Sequence, residues 1–312
     1  LNAGRLEEAV DSFATAAALP DASGELEGEL AAAQALLERH WREHHDIVVP
    51  LAAAGPTLRL RQSLGCGYCS LSGGHGPGGA VWPAGLALAL VVAAAPPPAQ
   101  SGEARAVAAW RGLRVLELGS GTGVAGLAAA AAGAEVLLTD RLDVVEVMER
   151  NIELNRAEVS RSGGRATCAA FDWSDAPPEE VAGVAWDVVL ASDLIYSFAS
   201  VQPLAGALAA LLCPGGPASA SRALYAHFPR SGDLDSAFDE ALAARGLHRR
   251  RQAACTPPCR PTGRIDAQAL RRVEIWELRG PEAASLRKRP PERLAESDPP
   301  ARTDSAKDAV DP

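Results

Sequence analysis

From residue 57 onward the chain alternates short apolar runs with longer stretches in which apolar residues recur at helical spacing. Leu58, Leu60 and Gln62 alternate with Arg59 and Arg61, the pattern of a half-exposed strand. A Gly-rich loop over 65–79 follows, then a helix over 81–92 with Pro83 in its first turn, where a missing N–H is tolerated. Strands are expected over 114–118, 135–139, 166–171 and 187–191, with helices over 122–132, 142–155 and 201–212. Val188, Val189 and Leu190 are not diluted by polar alternation, as a parallel strand buried on both faces requires. This succession predicts an open α/β sheet with its ligand at the carboxyl ends of the strands. A strand over 223–228 and a helix over 234–245 come next. Strands over 247–253 and 272–278, separated by a Pro-rich loop, predict an antiparallel hairpin at one edge.

The two ends differ from this pattern. Leu26, Leu30, Ala33, Leu36, Leu37 and Trp41 recur at helical spacing, so 25–41 reads as an amphipathic helix with an acidic outer face. Residues 1–50 are expected to be an acidic helical extension, 51–280 the main domain, and 281–312 a disordered tail rich in Pro and mixed charge. The 312 residues carry a net charge of -9, which argues against a surface built to coat nucleic-acid phosphates. The longest apolar window, 80–95, is interrupted by Pro83 and stopped by Pro96, so no membrane span is expected. The chain starts at Leu1, and no basic segment followed by an apolar stretch opens it, so no secretory signal is read there. Cys66, Cys69, Cys168, Cys213, Cys255 and Cys259 do not form a disulfide framework in a chain of this length, which points to a reducing, cytoplasmic setting.

The stretch Arg114-Val-Leu-Glu-Leu-Gly-Ser-Gly-Thr-Gly-Val-Ala-Gly126 carries the chemistry: a strand runs into three alternating glycines and then a helix. Gly119, Gly121 and Gly123 let the backbone turn sharply and approach a ligand with no Cβ in the way. Glu117, near the strand's end, can take an ammonium group or hydroxyls, and Asp140, ending the next strand, can accept hydrogen bonds from the hydroxyls of an adenosine ribose. Gly121, Gly123 and Gly126 also satisfy the dinucleotide fingerprint G-x-G-x-x-G, with Asp140 about 20 residues on. Against that reading, Glu117 would repel a pyrophosphate held at the helix N-terminus, whereas it suits a cationic amino-acid ligand such as S-adenosylmethionine.

Glu117-Leu-Gly-Ser-Gly-Thr-Gly123, Thr139-Asp140, Phe171-Asp172-Trp173 and Ala191-Ser-Asp-Leu-Ile-Tyr196 follow one another in the order and spacing of the seven-β-strand methyltransferases. The chain resembles in particular the methyltransferase-like 21 group of protein-lysine methyltransferases, within methyltransferase family 16. The likeness runs over residues 57–280 and includes Leu58-Arg-Leu-Arg-Gln62, Gly79-Ala-Val-Trp82 and Val273-Glu-Ile-Trp-Glu-Leu278. It implies a Rossmann-like sheet of seven strands in the order 3-2-1-4-5-7-6, helices on both faces, and S-adenosyl-L-methionine as cofactor. It further implies that Glu117, Gly119, Ser120, Gly121, Thr122 and Gly123 cradle the methionine part, and that Asp140, beside Arg141, holds the ribose. Asp172 and Trp173 would take the adenine, with Ala191, Ser192 and Trp82 close to the cofactor. Trp173 also reads as plain core packing, and Trp82 as an anchor at the start of a helix.

The implied substrate is a lysine side chain of a partner protein, acted on by a monomer without nucleic acid or membrane. Methyl transfer needs a neutral amine held about 3 Å from the methyl carbon with water excluded. A lysine ammonium, with a pKa near about 10.4, must first lose a proton, which a less polar channel favours. Asp193 would receive and orient that ammonium and Tyr196 would wall the channel, although Asp193 also reads as a helix cap. A methyltransferase acting on histidine, a small molecule or RNA, a nicotinamide-dependent oxidoreductase, and a binding protein without turnover remain alternatives. Cys66/Cys69 and Cys255/Cys259 have zinc-like spacings but read more simply as unrelated thiols, and His40 and His44 as part of a solvated helix face. Arg245, Arg249, Arg250, Arg251, Arg260, Arg264, Arg271 and Arg272 make the final hairpin basic, more simply as a solvated edge than as a dock for an acidic partner protein or RNA.

Overall fold

Strands with apolar side chains on both faces make the centre of the molecule. The structure is a computed structural model and describes residues 28, 29, 32, 46–52, 55–62, 76–94, 110–212, 220, 222–252 and 267–280. Its main sheet consists of β3 (Arg114–Leu118), β4 (Glu135–Asp140), β5 (Arg165–Ala170), β6 (Val188–Ser192), β7 (Ala223–His227), β8 (His248–Arg251) and β9 (Glu274–Arg279). Their order is β5-β4-β3-β6-β7-β9-β8, which is the expected 3-2-1-4-5-7-6 when counted from β3. Neighbours from β5 to β7 run parallel, β9 runs antiparallel to β7, and β8 and β9 form the expected antiparallel edge. The chain leaves β3 toward β4 and returns to pair β6 on its other side, so the sheet's crevice opens between β3 and β6.

Alternation along the strands divides the core. Val115, Val136, Leu138, Val188, Leu190, Leu224 and Ala226 pack on one face against α1 (Pro83–Ala94) and α2 (Val124–Ala131). Leu116, Leu118, Val189, Ala191, Tyr225 and Trp276 pack on the other against α5 (Phe198–Leu212) and α6 (Gly232–Ala243). The remaining helices are α3 (Val145–Arg161), the single turn α4 (Glu179–Ala182) and α7 (Ala267–Arg271). Helix α3 runs six residues past its expected end at 155 because Arg156 pairs with Glu153 and Arg161 with Glu158, keeping the polar last turns helical until Gly163.

A two-stranded sheet lies outside α3, with β1 (Asp46–Pro50) antiparallel to β2 (Thr57–Arg61). The apolar run of β1 is too short to announce a strand, and pairing with β2 decides it. The outer edge of β2 is closed by two side chains one helical turn apart on α3. Asn155 Oδ1 accepts the Arg59 N–H at 2.9 Å while its amide donates to the Arg59 carbonyl at 2.7 Å. Asn151 repeats the exchange with Arg61 at 2.7 and 3.1 Å, and its amide also donates to the Thr122 carbonyl at 3.0 Å. Two carboxamides thus imitate the edge of a neighbouring strand, and Asn151 links β2 to the loop ahead of α2.

The basic hairpin is largely neutralised within the sheet. Arg249 pairs with Asp239 at 2.5 Å and stacks 4.0 Å from the Trp276 ring centroid, and Arg251 pairs with Glu274 at 3.0 Å. Burial alone would raise the Glu277 carboxyl, but Arg279, Arg222 and Arg250 hold it below the usual range. The three arginines of β8 thus read as an edge satisfied by acids of β9 and α6. Among the described residues, no helix is long and apolar enough to cross a membrane.

Asn151→Ala removes three hydrogen bonds, two part-buried ones to Arg61 and a buried one to the Thr122 carbonyl, and is expected to lower stability by about 2 kcal/mol. Urea unfolding checks the magnitude, and an unchanged midpoint would show that the strand mimicry contributes nothing.

Candidate active site

β3 ends at Leu118, and the next five residues make the floor of the crevice. Gly119, Gly121 and Gly123 all lie in the left-handed region, at φ 57°, 54° and 77°, and α2 starts directly after the third. Ser120 fastens this loop to β4: its N–H donates to the Thr139 carbonyl at 2.9 Å, and its Oγ accepts the Thr139 N–H at 3.0 Å. Thr122 is buried, with its carbonyl held by Asn151. Gly78 covers the loop from above, so that a Cβ on Gly121 would lie 2.9 Å from the Gly78 carbonyl oxygen.

Glu117 points from β3 toward α2 and is 1% exposed. Its Oε2 accepts the Gly126 N–H at 3.0 Å, and a Cβ on Gly126 would stand 2.6 Å from that oxygen. Gly126, the third glycine of the fingerprint match, is thereby accounted for by the packing of α2 on the sheet and by room for a carboxylate. Burial pushes the Glu117 carboxyl up to about 8, with the Asp140 charge adding to it, against hydrogen bonds from Gly126 and Ser120. Asp140, at the end of β4, is also raised by burial; its Oδ2 accepts the Gly121 N–H and its Oδ1 the Arg141 N–H, each at 2.8 Å. The Arg141 guanidinium turns outward to Asp143, at 2.7 Å. Two buried carboxyls beside the glycine loop make a site short of positive charge.

Asp172 and Trp173 follow β5 and are both half-buried. Asp172 Oδ1 accepts the Ser174 N–H at 2.9 Å. Trp173 packs on the second apolar cluster and also reaches the loop, its Cζ3 lying 2.9 Å from where a Cβ on Gly119 would be. Core packing and wall of the crevice are the same position here. Ala191 is buried and Ser192 half-buried at the end of β6, with the Ser192 hydroxyl turned toward Gly85 of α1. Trp82 precedes α1 and its carbonyl accepts the Leu86 N–H, so it does open the helix.

Asp193 is the one non-glycine residue with positive φ among the described residues, at 58°. Its N–H donates to the Ala226 carbonyl at 2.9 Å, and the next N–H, of Leu194, donates to the buried Tyr225 hydroxyl at 3.2 Å. Its carboxylate does not cap α5. Both oxygens are taken by the Arg230 guanidinium, at 2.5 and 2.6 Å. That guanidinium lies 5.9 Å from the Trp82 ring centroid and 5.6 Å from that of Phe228. Tyr196 is 53% exposed on the rim. Tyr225, Phe228 and Arg230 belong to the site and escaped the sequence reading; their only signal was position, at and just beyond the end of a strand beside β6.

Cys66, Cys69, Cys255, Cys259, His40 and His44 lie outside the described residues. Among the described ones, no group of three or more His, Cys, Asp or Glu side chains is arranged to hold a metal ion.

A lysine methyltransferase family model matches residues 70–238, more than half of the chain. The protein-lysine N-methyltransferase rrg1 of Schizosaccharomyces pombe is 36% identical over 90 residues, covering 27% of this chain and 29% of its own. EEF1A lysine methyltransferase 3 of Mus musculus is 35% identical over 107 residues, 34% of this chain and 44% of its own. Calmodulin-lysine N-methyltransferase of Arabidopsis thaliana is 34% identical over 142 residues, 45% and 44% of the two chains. The chain thus spans less than half the length of these relatives. Among solved structures, magnesium protoporphyrin IX methyltransferase from Synechocystis PCC 6803 with bound SAM is similar at 17% identity and a TM-score of 0.37, covering 55% of this chain and 72% of that one.

Because the Glu117 carboxyl titrates near about 8 when folded and near 4.5 when unfolded, the folded state holds the extra proton between those values. Its contribution to stability is complete below the lower value and is lost as pH rises toward the upper one. Glu117→Gln should therefore flatten the fall in melting temperature between pH 5 and pH 8, and parallel wild-type and variant curves would refute the shift.

Proposed function

The chain belongs to the lysine methyltransferase family, and from that premise we propose that it is an S-adenosylmethionine-dependent protein-lysine N-methyltransferase. The observation that carries the reading is the buried pair Glu117 and Asp140 around a left-handed glycine loop at the carboxyl edge of the sheet. A carboxyl raised to about 8 by burial gains most from a ligand that brings its own positive charge. The chemistry of this donor set fits S-adenosylmethionine, whose ammonium and sulfonium are both cationic, and disfavours the pyrophosphate of a dinucleotide.

In this reading Glu117 and the loop from Gly119 to Gly123 hold the amino-acid part, and Asp140, beside Arg141, takes the ribose hydroxyls. Asp172 accepts from the adenine amine while Trp173, with Ala191 and Ser192 below it, walls the ring. The bound cofactor supplies an electrophilic methyl group. The protein's own task is to exclude water and present a neutral amine in line. Asp193 orients the incoming ammonium and takes the proton that it loses, which leaves the acid neutral and the amine free to attack, while Trp82 and Tyr196 line its approach. No covalent enzyme intermediate is needed. The substrate class is a lysine of a partner protein, as the printed names of the relatives suggest by analogy. The free Cys168 fits a reducing compartment such as the cytoplasm.

Calorimetry is expected to give binding of S-adenosylmethionine and none of NAD, and the reverse order would replace this reading with an oxidoreductase. Asp140→Asn should weaken cofactor binding about tenfold or more, through one lost charge and its hydrogen bonds. Asp193→Asn, which tolerates the left-handed backbone, should bind the cofactor as wild type does yet lose transfer about a hundredfold. Transfer is read as label from radioactive cofactor appearing in lysate proteins; label that survives lysine replacement in the acceptor would exclude lysine as target.

A further inference from the structure

The acceptor carboxylate already carries a cation. The Asp193 turn is held to β7 by its own N–H and that of Leu194, and its side chain is 4% exposed, whereas that of Arg230 is 35% exposed. The acid is the fixed partner, and the guanidinium stands at the mouth, from which it can move into water. Around it, Trp82 just before α1 and Phe228 just after β7 present ring faces, and Arg272 lies 4.5 Å from the Phe228 centroid. A buried carboxylate whose paired cation also lies against two aromatic rings is a seat for a cation.

We propose that Arg230 is the resident occupant of the seat that the target lysine must take, and that it sets the specificity of the site by requiring cation-for-cation exchange. The inference rests on the reading of Asp193 as the acceptor-binding carboxylate. An isolated buried carboxylate is strongly unfavourable, so Arg230 leaves only when another cation replaces it. A lysine ammonium meets that condition. A neutral imidazole or hydroxyl would strand Asp193 and is rejected.

Arginine suits the role of occupant because its guanidinium stays protonated at all working pH values and is no nucleophile. It can rest beside an activated methyl group without being consumed. A lysine in that place would itself be an acceptor, and the lysines of this chain, Lys288 and Lys307, both lie in the segment after residue 280. Arg230 is accordingly a positioning and specificity residue; it takes no part in bond making.

The test uses n-butylammonium chloride, which reproduces the end of a lysine side chain, on the full chain. Thermal melting with and without about 50 mM of the salt reads occupancy through its linkage to folding. Arg230→Ala is expected to melt several degrees below wild type, and butylammonium should restore part of that loss in the variant while leaving wild type unchanged. Guanidinium at the same low concentration should compete with it. Arg230→Ala/Asp193→Asn, which removes both charges, should melt above the single variant and show no response to butylammonium. Equal responses in wild type, single and double variants overturn the proposal, as does a double variant no more stable than the single one, since Arg230 is then a plain strut. Calorimetric binding of S-adenosylmethionine to the same wild-type sample separates the two readings. Its absence would sink the cofactor assignment and leave the butylammonium result standing, and its presence with no butylammonium response would sink only the exchange.

Discussion

Burial of carboxyl groups at the carboxyl edge of a parallel sheet is the constraint around which this molecule is arranged. Glu117, Asp140 and Asp193 end three neighbouring strands or the turns just after them, and each is at most 8% exposed. A carboxylate removed from water must be neutralised, hydrogen-bonded or paired, and each of the three follows a different route. Glu117 keeps its proton into the neutral range and leans on the Gly126 N–H. Asp140 accepts two backbone N–H groups. Asp193 is paired with a guanidinium. The first two leave an incomplete balance that a cationic ligand completes, and the third is balanced until a competing cation arrives.

Much of the rest of the fold serves to hold these groups still. The glycine loop is pinned to β4 through both polar groups of Ser120, and to α3 through Asn151, which in turn holds β2. Gly126 lets α2 sit close enough on the sheet for its first turn to meet Glu117. Tyr225, fully buried between two aromatic neighbours, accepts the Leu194 N–H and so fixes the strained turn that aims Asp193. Rigidity of this kind suits a reaction in which positioning supplies most of the acceleration.

In the proposed reading the two sides of the crevice divide the labour: one takes a cationic cofactor, the other a cationic acceptor. Both are selected by charges that water does not reach. Arg230 connects the two ideas, because a seat that is never empty admits only a ligand able to replace what is there.

The elements were legible in the sequence because their cause is local. Undiluted apolar runs such as Val188 to Leu190 mark strands buried on both faces, and Gly119, Gly121 and Gly123 mark a turn that other residues do not adopt without strain. The strand order came with the family likeness and the structure has it. Three things were decided only in three dimensions. β1 exists because β2 is there to pair with it, the asparagines of α3 read as ordinary helix residues until they meet the strand edge 90 and 96 positions away, and Arg230 lies 37 residues from Asp193. Periodicity records which face of an element is buried; it carries no record of which distant side chain will neutralise a charge, and that is settled by packing alone.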